Sequence, residues 1–279
     1  MLSWVNGTES TQVQSSDRGL AYGDGLFETL LIVGGLPRYV AEHQARMHLG
    51  AQRLNLPTDA VDQLFSELAQ ALSLADLDSK LAYVAKLTLT RGVGGRGYLA
   101  PESPKPTRIL NVSALPDWPR RQSLGEAGVN LRWCSTQLGH NPALAGLKHL
   151  NRLEQVLARS EWQSPDIHEG LVCDFEGRVV EATMSNVFWV KDEVLYTPEL
   201  SLCGVQGVMR DVLLRFFKAQ GYICKEGHFS ADHLDDASEV FLTNSINGCW
   251  PVTQLGDKPI VIGPFARLAQ KFLVEEYSR

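Results

Sequence analysis

Cysteine is scarce and unpatterned in this chain. Its five cysteines (Cys134, Cys173, Cys203, Cys224, Cys249) are an odd number, far apart, with no Cys-x-x-Cys pair. That argues against a disulfide framework or a zinc knuckle and points to a reduced compartment. Basic charge is not in excess: 26 Lys and Arg against 32 Asp and Glu leave −6 with histidine neutral. A dedicated nucleic-acid binder usually carries a basic face, so that class is disfavoured. No apolar run approaches about 18 residues, so no membrane-spanning segment is expected. The opening MLSWVNGTES has no basic region followed by an apolar one and does not read as a secretory leader. The cytoplasm is the expected location. Repeats and low-complexity tracts are absent. So are a Walker A sequence, Gly-x-Ser-x-Gly and His-Glu-x-x-His; DRGLAYGDG has glycines but no helical pattern after it, which excludes a dinucleotide turn.

What remains is an ordinary globular composition, 44% hydrophobic and 21% charged over 279 residues. At ~150 residues per domain that length suits about two domains. Leu2 to Val5 reads as a strand turning at Asn6-Gly7 and returning near Thr11 to Val13. Leu26 to Val33 reads as a buried strand, with a turn at Gly34-Gly35. Helices are expected over about Ala41 to Leu54 and from near Thr58 to Leu74, the second with Asp59 and Asp62 in its first turn. Leu81 to Gly92 and Thr107 to Leu115 read as strands. Pro116 to Gly128 has two prolines, two glycines and few packing residues, so residues 116–127 read as a linker between domains 1–115 and 128–279. Beyond it come the strand VNLRWC, a helix over about Leu150 to Glu161, a meander through GLVCD, GRVVEATM and NVFWVKD, a helix closed by Gly221, the strand SEVFLTN, and a final helix from Gly263 to Tyr277. The hairpin connections imply a mixed α/β, two-domain fold rather than repeated βαβ units.

Lys148 lies among apolar residues, and burial lowers an amine's proton affinity, freeing it to attack a carbonyl or move a proton. Alone it reads more simply as a solvated lysine at a helix start. Gly204 to Arg210 joins a Gly-bearing turn to a helix, whose free N–H groups attract phosphate. Glu181 interrupts an apolar strand and, if inward, needs a cation or a protonated ring nitrogen. Thr243-Asn244-Ser245 ends a strand with several donors for a small anion. Arg46 is a candidate phosphate clamp. The flanking His43 and His48, five apart, make a poor metal pair and read as surface or helix-packing histidines. A lysine, a phosphate cradle and an interior acid together are what pyridoxal phosphate requires.

The order of AYGDGLFET, His43-x-x-Arg46, TRGVGGRGY, GLKHLNRLEQVLAR, EATMSNVFWV, GVQGVMR and FLTNS, from about residue 17 to 253, resembles the fold-type IV pyridoxal-phosphate enzymes. These comprise branched-chain aminotransferases, D-amino-acid aminotransferases and 4-amino-4-deoxychorismate lyases. GGRGY with the long run around Lys148 is most similar to the lyases. The resemblance implies a small N-terminal α/β domain, a larger C-terminal domain of mainly antiparallel strands, and a homodimer. It makes Lys148 the Schiff-base lysine and proton-transfer base, and Glu181 the acid facing the pyridine nitrogen. Arg46, the backbone of Val208 and Met209, and Asn244 with Ser245 would contact the phosphate. A tyrosine found five residues after the lysine in many of the aminotransferases is here Leu153, so the contact to the cofactor's 3-oxygen must come from elsewhere or be absent. For substrate carboxylates Arg96 is the first choice, with Arg91 and Lys86 behind it; Phe27 and Thr29 would line the pocket. The implied reaction converts aminodeoxychorismate to 4-aminobenzoate and pyruvate, a step of folate biosynthesis. The alternatives are an aminotransferase on the same scaffold and, least favoured, a non-catalytic cofactor carrier.

Overall fold

The computed structural model describes residues 2–277, in two compact units: residues 2–118 with 147–151, and residues 119–146 with 152–277. The division differs from the expected domains 1–115 and 128–279. Five residues around Lys148 belong with the N-terminal unit although the chain on both sides of them belongs to the other.

The N-terminal unit runs β1 (Leu2–Val5), β2 (Thr8–Glu9), α1 (Arg18–Tyr22), β3 (Gly25–Val33), β4 (Leu36–Pro37), α2 (Val40–Arg53), α3 (Asp59–Leu74), β5 (Ala82–Thr90) and β6 (Thr107–Ala114). Its strands form one antiparallel sheet in the order β2-β1-β6-β5-β3-β4. In α3, Val61, Leu64, Phe65, Leu68 and Ala71 recur at helical spacing and bury one stripe. They pack with Leu26, Leu30 and Ile32 of β3 and with Met47 and Ala51 of α2. The first hairpin returns at Thr8–Glu9, nearer the turn than Thr11 to Val13. Part of DRGLAYGDG, expected as loop, is the one-turn helix α1: Asp17 caps it by accepting from Gly19 N–H at 2.8 Å.

The C-terminal unit continues with α4 (Trp118–Ala127), β7 (Val129–Leu138), α5 (Leu153–Arg159), β8 (Glu169–Asp174), β9 (Val179–Ala182), β10 (Asn186–Lys191), β11 (Val194–Pro198), α6 (Val208–Ala219), β12 (Cys224–Gly227), β13 (Glu239–Asn244), β14 (Gly248–Leu255), β15 (Lys258–Pro259) and α7 (Pro264–Tyr277). Its sheet has the order β12-β11-β10-β13-β14-β7-β8-β9, with β15 on β14. Most pairs are antiparallel; β11–β12, β14–β7 and β7–β8 are parallel. Of the expected linker 116–127, residues 118–127 form α4. Its proline stands in the first turn, where the missing N–H costs nothing. Outside contacts hold it: Trp250 Nε1 donates to the Arg121 carbonyl at 3.1 Å and Gln270 Nε2 to that of Gly125 at 2.7 Å. Among the described residues no helix is long and apolar enough to cross a membrane.

Candidate active site

Lys148 is set by backbone pairing with the start of β3. Its carbonyl accepts from Phe27 N–H at 2.9 Å, Leu150 N–H donates to Gly25 at 3.0 Å, and His149 bridges Leu26. Leu147 is buried in the core beside it. The lysine is therefore on an extended segment, and the helix expected from Leu150 begins only at Leu153. Its Nζ lies 4.4 Å from the centre of the Phe27 ring.

Strand alternation puts Phe27 and Thr29 on the same face of β3, both half-buried, while Leu26, Glu28 and Leu30 are buried. Lys86 lies opposite Thr29 on β5, exposed, with its Nζ 5.6 Å from the Phe27 ring. Lys148 and Lys86 thus both stand over the Phe27 ring, with Thr29 paired to Lys86.

Arg46 is held by a buried acid that the sequence reading passed over. Its Nε and Nη2 donate to the two oxygens of Glu28 at 2.8 and 2.5 Å, and His43 Nδ1 lies 2.6 Å from the same carboxylate. Burial works against the charge on Glu28, but the Arg46 guanidinium and the His43 ring overcome it and hold the carboxyl at about 2. Burial pushes the His43 ring below its ordinary value against the pull of Glu28. His43 is fully buried, not a surface histidine, and its Nε2 has no hydrogen-bond partner. The signal was available: Glu28 interrupts an apolar strand as Glu181 does.

Arg91 does not fit a substrate-binding role. It is buried, donates to both oxygens of Asp24 at 2.8 and 3.0 Å, and reaches the carbonyls of Asn55 and Leu54 at 2.9 and 2.8 Å. It clamps the loop before β3. Arg18 completes the clamp from Asp24 to the carbonyls of Gly97 and Tyr98, at 2.8, 3.0 and 2.9 Å. Arg96 stands exposed on the loop that Arg18 grips.

In the C-terminal unit, Glu181 is buried on β9 and its Oε2 accepts from Val205 N–H at 2.9 Å. Gly146 pairs with the same loop, donating to Gly204 at 2.9 Å and accepting from Gln206 at 3.0 Å. Gly207 then starts α6 with no side-chain cap, so the N–H groups of its first turn, where Val208 and Met209 lie, have no side-chain acceptor at that end. A Cβ on Gly207 would fall 2.0 Å from Asn186 Oδ1, and Asn186 Nδ2 donates to Val205 at 2.9 Å. A Cβ on Gly204, at φ +85°, would fall 2.8 Å from Val180 Cγ1. Only glycine fits this tight turn into the helix start.

Asn244 holds its own turn. Its Oδ1 accepts from Ile246 and Asn247 N–H at 2.9 and 2.7 Å, and its Nδ2 donates to Ser185 Oγ at 2.9 Å. Both polar atoms of the Asn244 side chain are thus engaged within the protein. Leu153 is 77% exposed. Its neighbour Arg152 is half-buried, and although burial lowers its affinity for the proton, Glu181 is close enough to pull it back up. Arg152 thus stands near Glu181 without having been singled out in the sequence.

Residues 25–255 match the family described as amino-transferase class IV. An aminodeoxychorismate lyase of Vibrio harveyi is 36% identical over 250 residues, 90% of each chain. A crystal structure of 4-amino-4-deoxychorismate lyase from Pseudomonas aeruginosa aligns at TM-score 0.91 and 44% identity over 98% of both chains. A hypothetical aminotransferase from Mycobacterium tuberculosis in a PLP-bound form shares the fold at TM-score 0.81 and 21% identity, covering 99% of this chain and 100% of that one.

Proposed function

The chain belongs to the class IV aminotransferase family, and from that premise we propose that it is a pyridoxal-phosphate-dependent lyase converting 4-amino-4-deoxychorismate to 4-aminobenzoate and pyruvate. The observation that carries this reading is the 44% identity to the Pseudomonas aeruginosa lyase over nearly the whole of both chains. The local chemistry supports the cofactor. The start of α6, with no side-chain cap, offers N–H groups to a phosphate, glycines let the backbone come close, and the buried Glu181 carboxyl suits a protonated ring nitrogen.

In this reading Val208, Met209 and Ser245 bind the phosphate, and Arg46, its guanidinium plane fixed by Glu28, assists them. Glu181, steadied by Val205 N–H, would keep the pyridine nitrogen protonated. Lys148 would hold the cofactor, and its amine, when neutral, would take the proton from the substrate ring carbon that bears the nitrogen. When bound, the cofactor supplies an electron sink, and departure of the enolpyruvyl oxygen leaves an aromatic ring. Arg96 and Lys86 supply positive charge for the substrate carboxylates, and Phe27 and Thr29 line the pocket wall.

The test mixes the protein with aminodeoxychorismate and follows pyruvate, while a parallel sample receives D-alanine and 2-oxoglutarate and is assayed for glutamate. Pyruvate without glutamate supports the lyase; glutamate without pyruvate replaces it with an aminotransferase. Lys148→Ala should lower turnover by at least about 10²-fold, the scale of general-base catalysis, while keeping phosphate binding. We further propose a cytoplasmic homodimer. Five unpaired thiols support the location, and the exposed Leu153, Val156 and Leu157 on α5 support an apolar contact with a second copy.

A further inference from the structure

Glu169, the first residue of β8, is completely buried, and among the described residues no cation pairs with it. Burial pushes its carboxyl up to about 7 against the hydrogen bonds it receives. The Gly170 N–H on β8 gives one of them, and the others, the Met184 N–H included, come from one turn. Thr183 Oγ1 donates to one oxygen and Ser185 Oγ to the other at 2.9 Å, and Thr183 N–H donates to the Gly170 carbonyl next door at 3.1 Å. This turn lies between Glu181 and Asn186. Ser185 Oγ, having given its hydrogen to Glu169, accepts from Asn244 Nδ2 at 2.9 Å, and Asn244 Oδ1 gathers the N–H groups of Ile246 and Asn247. Every donor along this path points toward the carboxyl. The Asn244 amide is turned by its own loop, whose two N–H groups demand its oxygen; Nδ2 is thereby left facing Ser185, which can accept there because its own hydrogen goes to Glu169.

We propose that Glu169 is a positioning residue for the anion-facing loop: its carboxyl ends a relay through Ser185 to Asn244 that fixes the turn of residues 244–247 and with it Ser245. The proposal rests on the reading of Ser245 and the start of α6 as the phosphate site. Glu169 touches no substrate or cofactor in this scheme and acts through Ser185.

Hydrogen exchange of the Ile246 and Asn247 amides in the cofactor-free protein reads the relay directly, and the dissociation constant for pyridoxal phosphate reads its consequence. Glu169→Leu and Ser185→Ala should each speed exchange at those two amides at least 10-fold, with little change at amides of β10 and β13, and weaken the cofactor about 10-fold. Glu169→Gln keeps an acceptor for Ser185 and should restore both readouts to within about 3-fold of the parent. A merely structural role would speed exchange across the whole sheet, and Gln would give no selective rescue. If Glu169→Leu does not fold, Ser185→Ala still cuts the same link. Unchanged exchange at Ile246 and Asn247 in folded Ser185→Ala overturns the proposal, as does sheet-wide loss. If the parent itself binds no pyridoxal phosphate, the functional reading has failed and this role falls with it; if the parent binds and Ser185→Ala binds equally, only the relay has failed.

Discussion

Glu28 sits in the middle of an apolar strand, where an isolated carboxylate would cost several kcal/mol. Arg46 and His43 from α2 meet it from one side, and the pair becomes a fixed mount for the guanidinium. Glu28→Gln would remove the carboxylate that Arg46 grips through two nitrogens, and a loss of about 3 kcal/mol or more is expected in urea unfolding at pH 7. The sign of the pH dependence follows. Folding lowers this carboxyl from 4.5 to about 2, so its contribution is present above pH 4.5 and is lost as pH falls toward 2. The parent's advantage over Glu28→Gln should therefore shrink on acidification. Glu169 has the opposite sign. Folding raises it from 4.5 to about 7, so its contribution is full below pH 4.5 and fades as pH rises through 7. Between pH 5 and 8 the parent should lose stability that Glu169→Gln keeps, a gap of order 3 kcal/mol measured by urea unfolding at the two pH values. Lys148 and Glu181 stand out in the sequence because each breaks a local apolar pattern. Glu28 breaks the same pattern and was overlooked, while His43 could not be placed without knowing which face of α2 meets β3. Arg91 illustrates the converse: residue type allowed a carboxylate partner, but the partner is Asp24 in the chain itself.

At the level of elements, periodicity carried most of the information. The stripe of α3, the long buried β3 and the helix ended by Gly221 all stand where their patterns put them. What failed were elements held by neighbours rather than by their own side chains. α4 has one buried residue, Gly125, and owes its place to Trp250 and Gln270. The segment carrying Lys148 would extend α5 by composition, yet its backbone bonds run to β3. The turn into α6 is the element where function and packing meet most closely. Gly207→Ala would place a methyl group 2.0 Å from Asn186 Oδ1, and the expected cost is about 1–3 kcal/mol of stability. Because Asn186 also holds the Val205 carbonyl, the N–H groups of the first turn would shift with it. Weaker binding of pyridoxal phosphate, measured by equilibrium dialysis, is the outcome that checks this.

For the molecule as a whole, the sequence marked two bodies but drew the border as a line, whereas contacts draw it through five residues of the second body's own stretch of chain. Leu147 fills the N-terminal core and Lys148 pairs with Phe27, so an N-terminal piece ending at residue 118 lacks part of its own interior. Hybrids of this protein with a relative offer the measurement. A crossover after residue 118 takes Phe27 from one parent and Leu147 to Asn151 from the other, and its melting temperature should fall below that of a second hybrid in which those five residues travel with the N-terminal parent. Natural recombination meets the same constraint: two ancestral genes could not trade halves at a single breakpoint here without separating Lys148 from the strand that seats it.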